Sequence, residues 1–321
     1  MKILFIGGTG NISSSTSRLC IDKGWDLWLL NRSGSHSIPG AKSLQVDINS
    51  PAASALLANH EWDVVVNWIA FHEADVDRDI NLFKRKTKQY IYISSASCYK
   101  KPGPTPFITE RTPLENPHWQ YSRDKIAGEH RLLREPDFPY TIVRPSHTYS
   151  SVIPITIGGW KEYTTVDRIK KGLPIVVQGD GNSLWTVTHA DDFAKGFTGL
   201  FGNRKAMRED FHITSDEFLS WNEIYQHVAN AVGKHAEIVH VASDTICKRD
   251  PEYTGTLLGD KSISSLFDNN KIKALVPDFQ ATIPFAEGIK RTIADFEANP
   301  DWQIVNPETN AFIEQLIATE K

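Results

Sequence analysis

Tyr121 and Lys125 lie four residues apart in the segment WQYSRDK at 119–125. On a helix this spacing places both side chains on one face, one turn apart. An ammonium group held beside a phenol favours the phenolate, so we expect the pKa of Tyr121 to fall below its usual value of about 10. Tyr121 is therefore predicted to donate or accept a proton near neutral pH.

A glycine-rich turn precedes these residues in the chain, with the sequence GGTGNIS at 7–13. It follows the first apolar run directly and opens the first predicted helix. Gly7 is expected to form the tight turn, and Gly10 to let the backbone approach a pyrophosphate at the helix N-terminus. The third glycine of the usual pattern is replaced by Ser13, which is still small. A glycine-rich loop without a ligand is the alternative, but a strand before and a helix after favour nucleotide binding.

The end of the second apolar run bears on the choice of cofactor. A carboxylate there would hold the ribose 2′-hydroxyl of NAD, but the residues are Asn31 and Arg32. A guanidinium pairs with a 2′-phosphate, so the sequence favours NADP, with NAD as the alternative and a solvated Arg32 as the simpler interpretation. Asp47 is expected to meet the adenine amino group, and the segment 67–70 to pass under the adenine ribose.

The elements that must position these residues alternate along the first half of the chain. Helices are predicted at 11–23, 51–59, 73–86 and 117–134, and strands at 2–6, 26–30, 43–46, 63–69, 89–94 and 140–144. Because the strands are continuous apolar runs, they indicate a parallel sheet covered by helices on both faces. This is the doubly wound α/β fold, in which ligands bind beyond the carboxyl ends of the strands. A smaller, mixed α/β lobe is expected to follow.

Composition narrows the class of protein. The 321 residues are 40% hydrophobic and 23% charged, and the formal net charge is −4. The chain has no excess of positive charge that would attract a polyanion, so nucleic acid is not an expected partner. No apolar run is long enough to span a bilayer. The three cysteines are far apart and fit neither a disulfide framework nor a zinc site, so we expect a cytoplasmic protein.

The motifs described above lie in five segments along the chain. In order, these are 7–13, 67–70, 94–99, 121–125 and 144–146. Their order and spacing resemble the short-chain dehydrogenase/reductase superfamily, in its extended branch of NAD-dependent epimerases, dehydratases and reductases or in an atypical branch. The sequence HADD at 189–192 also matches a motif of the C-terminal half, so the resemblance spans essentially the whole chain. It implies a dinucleotide-binding Rossmann domain at 1–150. Residues 151–321 would be mainly a substrate lobe, and about 185–215 would return to the first domain.

The resemblance also implies roles for individual residues. Tyr121 would be the general acid/base, Lys125 the cation that tunes it and holds the nicotinamide ribose, and Ser95 the hydroxyl that bonds the reacting oxygen. The implied cofactor contacts are Gly7, Thr9, Gly10, Asn11, Ile12, Asn31, Arg32, Asp47, Ile48, Trp68, Ile69, Ala70, Ser94, Tyr121, Lys125, Pro145, Ser146 and His147.

Each catalytic candidate also has a structural interpretation. Ser95 could cap a strand end, Tyr121 could be a half-buried ring, and Lys125 could be a solvated helix residue paired with Glu129. The ordered set as a whole favours catalysis.

Two departures from the family pattern limit the reaction and the class of substrate that we expect. Dehydratases carry an Asp-Glu pair after the catalytic Ser/Thr, whereas this chain has Ala96 and Ser97, so dehydration is disfavoured. Trp185 stands where sugar-nucleotide enzymes place an arginine for the diphosphate. An indole cannot neutralise a diphosphate, so a nucleotide-sugar substrate requires compensation by a cation such as Lys161, Arg168 or Lys170.

The remaining candidates concern the substrate and metals. The expected substrate contacts are His72, Ser95, Ser97, Trp160 and Trp185. The tryptophans are equally well explained as core residues. His72, His118 and His147 lie near the motifs, but no two of them have metal-ligand spacing, so no metal site is predicted.

The sequence therefore predicts an NADP-dependent oxidoreductase or epimerase that transfers hydride to or from a carbonyl or hydroxyl carbon, with a sugar derivative as one candidate substrate. Reductase, dehydrogenase and epimerase activities are not separated by the sequence. RNA binding, as in the chloroplast stem-loop-binding relatives, and cofactor sensing without turnover are the alternatives. Dimers are common among the proteins that this chain resembles, so a homodimer is compatible with the resemblance.

Overall fold

The computed structural model describes residues 1–33, 37–158 and 160–320. The first half of the chain contains most of one parallel sheet and the helices that cover it. Its elements are β1 (Lys2–Ile6), α1 (Ser13–Asp22), β2 (Asp26–Asn31), β3 (Lys42–Gln45), α2 (Pro51–Leu57), β4 (Val64–Asn67), α3 (Glu73–Phe83), β5 (Tyr90–Ile93), β6 (Phe107–Ile108), α4 (Gln120–Leu133), β7 (Tyr140–Pro145) and β8 (His147–Tyr149).

The second half has shorter strands and more helices. Its elements are α5 (Thr164–Lys170), β9 (Ile175–Gln178), β10 (Leu184–Trp185), β11 (Val187–His189), α6 (Ala190–Thr198), β12 (Asp210–Ile213), β13 (Leu219–Ser220), α7 (Trp221–Ala231), β14 (Ile238–Val241), α8 (Ser243–Arg249), α9 (Tyr253–Thr256), β15 (Leu266–Phe267), α10 (Asn270–Leu275), α11 (Phe285–Ala298) and α12 (Pro307–Ala318). Short 3₁₀ turns lie at Ala96–Cys98, Arg204–Ala206 and Pro300–Trp302, and one π-turn lies at Leu257–Lys261.

The central sheet has seven strands in the order β12-β7-β5-β4-β1-β2-β3, and every neighbouring pair is parallel. The strand order reverses between β1 and β4, which opens a crevice at the carboxyl ends of these strands. The predicted doubly wound α/β fold is confirmed. The sheet's last strand, β12, comes from the second half of the chain and pairs with β7.

Helices cover both faces of the sheet because successive side chains on a strand point to opposite faces. On one face, Ile3 and Phe5 pack into a core with Cys20 of α1 and Phe193 of α6. On the other, alternate strand residues pack against α2, α3 and α4. The described chain beyond β8 has a further core of its own, around Trp185, Trp221 and Phe285.

Predicted boundaries differ from the observed ones by a few residues, for local reasons. The strand expected at 63–69 ends at Asn67, because the Asn67 side chain accepts a hydrogen bond from the Ile69 amide at 2.9 Å and turns the chain. The helix expected at 117–134 begins at Gln120, since Asn116 Oδ1 accepts hydrogen bonds from the amides of His118 and Trp119. Within 151–321, Gly159 and Lys321 lie outside the described residues.

None of the helices in the described ranges combines the length and the apolar character needed to cross a membrane.

Candidate active site

A single large cleft, with a volume of about 1310 Å³, runs along the carboxyl edge of the sheet. Its walls include the glycine-rich turn, the ends of β2 to β5 and β7, and parts of the chain beyond residue 150. Of the predicted site residues, all except Ala70 and His72 line this cleft. Ala70 is buried just behind the wall, and His72 is exposed beside Asp124, with 3.4 Å between the ring Nδ1 and a carboxylate oxygen.

The glycine-rich turn joins β1 to α1 with two residues in the left-handed region. Gly7 has φ +90° and Gly8 has φ +108°. A Cβ on Gly8 would come within 2.7 Å of the Leu29 side chain, so a larger residue would displace the turn from β2. Ser13 replaces the third glycine, and its Oγ accepts a hydrogen bond from the Gly10 amide at 2.8 Å. The serine therefore closes the turn.

The N-terminus of α1 is suited to an anionic group. The helix has no acidic residue in its first turn and no side chain capping its first amides. Thr9, Gly10, Asn11 and Ile12 line the cleft at this point. Unpaired amides and the helix dipole together favour phosphate binding.

Asn11 links this turn to β8 and to the chain just after it. Its amide nitrogen donates to the Thr148 carbonyl oxygen at 2.8 Å, and its Oδ1 accepts from the Ser151 amide at 3.0 Å. The turn is thereby fixed relative to the opposite wall of the cleft.

One end of the cleft is built from the ends of β2 and β3. Asn31, Arg32 and Asp47 all line it, and Arg32 is exposed. The Asn31 amide, oriented to suit its neighbours, donates to the Gly7 carbonyl oxygen at 3.2 Å. Ile48 lies beside them and is buried. A guanidinium, and no carboxylate, therefore stands at the end of β2, as the sequence predicts.

The predicted catalytic residues lie further along the cleft. Ser95 follows β5 and caps the 3₁₀ turn, with its Oγ accepting from the Ser97 amide. Tyr121 lies in the first turn of α4 and, like Ser95, lines the cleft. Lys125, one turn later on α4, is 1% exposed. The structure thus brings the serine, the tyrosine and the lysine to one wall of the cleft.

Lys125 is held by backbone carbonyl groups. Its ammonium donates to the Ala70 carbonyl at 2.6 Å and to the Ile93 carbonyl at 2.8 Å. Burial lowers the pKa of Lys125 to about 8. Glu129 instead binds Arg144, at 2.6 Å between Oε2 and Nη2. The solvated Lys125–Glu129 pair, weighed as the structural alternative, is therefore not found.

The expectation that Lys125 lowers the pKa of Tyr121 is wrong. Burial raises the pKa of Tyr121 to about 12, and the Cys98 sulfur adds to the shift, while the hydrogen bond from Ser95 opposes it. The Lys125 ammonium lies 5.7 Å from the centre of the Tyr121 ring and donates to the two carbonyls. Loss of water around the phenol therefore outweighs the lysine, and Tyr121 is protonated at neutral pH.

Ser94 faces away from the ligand space, although the residue borders the cleft. Its hydroxyl donates to Glu129 at 2.5 Å, inside a buried network with Arg144. Its role in the structure is to hold the core behind Ser95.

Pro145, Ser146 and His147 form the opposite wall. Among the described residues, neither Ser146 Oγ nor His147 Nε2 has a hydrogen-bond partner, although both atoms are buried. Buried polar atoms without partners are costly, and here they border a cleft that a ligand could fill. These atoms, the glycine turn and the open helix N-terminus suit the nicotinamide dinucleotide that the motifs imply.

The far end of the cleft contains several aromatic rings. Trp160 lies 5.1 Å from the His147 ring and Trp185 lies 6.1 Å from it, both in edge-on contact. Trp160 is 42% exposed, whereas Trp185 is buried and donates from its indole nitrogen to the Ile263 carbonyl. Of the two tryptophans predicted to contact substrate, only Trp160 is solvent-accessible.

The cations expected to compensate for Trp185 mostly lie elsewhere. Arg168 is buried in an ion pair with Glu314 at 2.6 Å, and Lys170 pairs with Glu297 on the surface at 2.8 Å. Lys161 lines the cleft and is exposed. Instead, the ammonium groups of Lys101 and Lys261 lie 5.0 and 5.5 Å from the centre of the Trp185 ring.

Sequence reasoning missed much of this far wall. Lys101 comes two residues after the last aromatic residue of the serine motif, a position that could have drawn attention. The remaining residues carry no motif, and most come from one C-terminal segment. The missed lining residues are Lys101, Trp119, Thr156, Asp250, Glu252, Tyr253, Thr256, Asp260 and Lys261.

Two curated proteins are similar to this chain in sequence. The chloroplast stem-loop binding protein of 41 kDa b of Arabidopsis thaliana is 28% identical over 74% of this chain, and the match spans 65% of that protein, just under two thirds of its length. The 2′-dehydrokanamycin reductase of Streptomyces kanamyceticus is 23% identical over 87% of this chain and 80% of its own.

A solved structure shares the fold. The UDP-glucuronic acid 4-epimerase of Bacillus cereus, in complex with NAD, superposes with a TM-score of 0.73 at 18% identity, over 94% of this chain and 100% of its own. The model of the NAD dependent epimerase/dehydratase family matches residues 3–213, which include the glycine turn, Ser95, Tyr121 and Lys125. The resemblance inferred from the ordered motifs is confirmed, and the chain belongs to the NAD dependent epimerase/dehydratase family.

Proposed function

We propose that the protein is an NADP(H)-dependent oxidoreductase or epimerase acting on a carbonyl or hydroxyl carbon of a sugar derivative, with Tyr121 as general acid/base. One observation carries the proposal. The glycine turn and the set Ser95, Tyr121 and Lys125 line the same cleft, as catalysis on a bound dinucleotide requires.

The dinucleotide would lie along the carboxyl edge of the sheet. The amides at 9–12 would hold the pyrophosphate, and the ends of β2 and β3 would hold the adenosine half. Arg32 would pair with a 2′-phosphate, which favours NADP over NAD. When bound, the cofactor supplies or accepts the hydride.

Tyr121 supplies the proton that the reaction needs. Its pKa of about 12 keeps the phenol protonated at neutral pH, so it is ready to donate to a substrate carbonyl oxygen as that oxygen gains charge. The Ser95 hydroxyl, on the same wall of the cleft as Tyr121, would donate to the same oxygen and stabilise it. The resting state thus favours the reducing direction.

Lys125 would act through position and charge. Two of its three ammonium hydrogens are used by the Ala70 and Ile93 carbonyls, which leaves one to reach the ribose of the cofactor. Its positive charge also favours the tyrosinate that forms when Tyr121 gives up its proton.

Dehydration receives no support. At the positions of the dehydratase acid pair, Ala96 has no ionisable group and the Ser97 hydroxyl is bound between Ser95 and Ser122, at 2.8 and 2.7 Å. Neither residue can remove a proton and expel water.

We also propose that different parts of the chain bind the cofactor and the substrate. Residues 1–150, joined by β12 and by α6 against α1, would bind the cofactor. The rest of 151–321 would bind the substrate.

The test is turnover of a panel of ketosugars, sugar alcohols and sugar nucleotides with NADPH and NADH, comparing wild type with Tyr121→Phe. We expect Tyr121→Phe to abolish turnover and to leave NADPH affinity nearly unchanged, while Tyr163→Phe, remote from the cleft, matches wild type. Net NADPH consumption would identify a reductase, and product formation without it an epimerase. Substantial turnover by Tyr121→Phe would contradict the proposal. NADPH binding without turnover across the panel would indicate a cofactor sensor.

RNA binding is a second candidate function, favoured by the 28% identity to the chloroplast stem-loop binding protein. The net charge of −4 and the intact serine, tyrosine and lysine argue for the enzyme. Binding of a stem-loop RNA that persists at 150 mM salt and weakens as salt rises would support the RNA function, and its absence would remove it.

A further inference from the structure

Two lysines and one aspartate form a buried cluster at the far end of the cleft. The side chains of Lys101, Asp260 and Lys261 are 3%, 7% and 6% exposed, and all three residues line the cleft. Asp260 accepts from Lys101 with one carboxylate oxygen and from Lys261, at 3.1 Å, with the other. Both cations therefore share a single counter-ion.

When both lysines are protonated, this arrangement leaves one positive charge unbalanced within the cluster; burial lowers the pKa of Lys101, and the Asp260 carboxylate opposes that shift. A buried charge without a partner is costly, and an ammonium carries three donors. Among the described residues, Asp260 is the hydrogen-bond partner of both ammonium groups, so donors remain for a ligand. Of the other carboxylates that line the cleft, Asp47 lies at the opposite end, beside Arg32, while Asp250 is half-buried and Glu252 is exposed, where water screens them.

His147, whose Nε2 also borders the space for the cofactor, reaches this end of the cleft through its edge-on contact with the Trp185 ring. Its ring is buried, and Nε2 has no hydrogen-bond partner among the described residues. Burial and the nearby Lys261 lower the pKa of His147 to about 3, so the ring stays neutral. A ligand hydroxyl would satisfy Nε2.

The cluster is close to the reacting groups. The Trp119 ring centre lies 5.2 Å from that of Tyr121 and 5.7 Å from the Lys261 ammonium. A single indole therefore separates the proton donor from the cation, a distance that one sugar-sized molecule can bridge. Indole surfaces at this end also suit the apolar faces of a sugar ring.

We propose that the far end of the cleft binds one anionic group of the substrate, a carboxylate or a phosphate, between Lys101 and Lys261. The substrate class is then a sugar acid or a sugar phosphomonoester, since the cluster carries one excess positive charge. The inference rests on the proposed function for the reaction at Tyr121. It explains how the site can recognise an anion although Trp185 occupies the position of an arginine.

Binding measurements test this without requiring turnover. The full chain, saturated with NADPH, is titrated calorimetrically with D-glucose, D-glucuronate and D-glucose 1-phosphate. We expect at least one anion to bind about tenfold tighter than D-glucose, which corresponds to a hydrogen bond to a charged group. The tighter of the two identifies the carboxylate or the phosphate. Equal affinity for all three probes would overturn the proposal, whether or not the protein proves to be an active enzyme.

Removing a positive charge and removing the negative charge should change anion binding in opposite directions. Lys101→Met and Lys261→Met should each remove the tenfold preference for the anion, while Asp260→Asn, which adds a net positive charge, should strengthen anion binding. Lys100→Met is the matched control, because Lys100 is exposed and pairs with Glu115 at the surface. Thermal unfolding identifies any variant that fails to fold. In that case the wild-type affinities for D-glucose and the two anions decide whether the proposal holds. A preference that survives both lysine variants would overturn the proposal.

Discussion

Ser97 Oγ lies 2.7 Å from Ser122 Oγ, although 25 residues separate them in sequence. This hydrogen bond ties the turn after β5 to the first turn of α4. Ser97 also bonds Ser95 at 2.8 Å, and Ser122 directly follows Tyr121 in the chain. The turn that carries Ser95 and the helix that carries Tyr121 are therefore linked by two buried serines, of which Ser97 lines the cleft and Ser122 does not.

We predict that Ser122→Ala lowers kcat about tenfold and leaves NADPH affinity unchanged, because Ser95 and Tyr121 lose their common support. Steady-state kinetics and a fluorescence titration with NADPH measure the two quantities. Ser122→Thr, which keeps the hydroxyl, should recover most of the rate. An unchanged kcat in Ser122→Ala would mean that the link does not position the reacting groups.

Arg32→Ala should weaken NADPH binding about tenfold or more and change NADH binding less than about twofold, since only NADPH carries the 2′-phosphate. Titration of both cofactors against wild type and variant measures this. Arg111→Ala, an exposed arginine outside the cleft, is the control. Equal affinities for NADPH and NADH in wild type, unaffected by the change, would remove the NADP preference.

The buried Lys125 ammonium makes stability depend on pH. Its pKa falls from 10.5 to about 8 on folding, so between these values the unfolded chain holds a proton that the folded chain has lost. Stability relative to Lys125→Met should therefore rise with pH across this window, by up to about 3 kcal/mol. Urea unfolding of both proteins at pH 7, 8, 9 and 10 isolates the lysine. A constant or falling difference would contradict the burial of a charged Lys125.

The ion pair between Arg144 and Glu129 should be important for stability. Glu129 is 1% exposed and accepts two hydrogen bonds from the guanidinium, at 2.9 and 2.6 Å. Arg144→Met would leave this carboxylate buried without its partner, at an expected cost of about 3–5 kcal/mol of unfolding free energy.

Arg131→Met provides the comparison for Arg144→Met. Arg131 pairs with Asp77 and Glu135 near the surface, where such pairs contribute at most about 1 kcal/mol. Urea unfolding measures the loss of unfolding free energy in both variants. Similar losses in Arg144→Met and Arg131→Met would contradict the expected difference between a buried and a surface ion pair.

Local patterns were enough to predict six of the seven strands of the sheet, all except β12. The first strand has the predicted bounds, Lys2–Ile6, because its apolar run and the following glycines are both local signals. The family resemblance implied that Ser95, Tyr121 and Lys125 act together, and the structure brings all three to the cleft.

Features that depend on distant contacts could not be predicted. Lys261 reaches the cleft from a π-turn with no motif, and strands such as β10 and β15 have only two residues, too few for a period. The pKa of Tyr121 was predicted with the wrong sign because the spacing of four does not reveal how much water the fold removes, or that Lys125 binds two carbonyls.

The pairing of β7 with β12 has a consequence for biosynthesis. The strand that completes the sheet is formed by residues 210–213, so β7 has an unpaired edge until that segment leaves the ribosome. At translation rates of about 5–20 residues per second, the interval lasts several seconds. A nascent chain halted before that point would present an open strand edge to other chains, and we expect it to depend on chaperones that shield such edges.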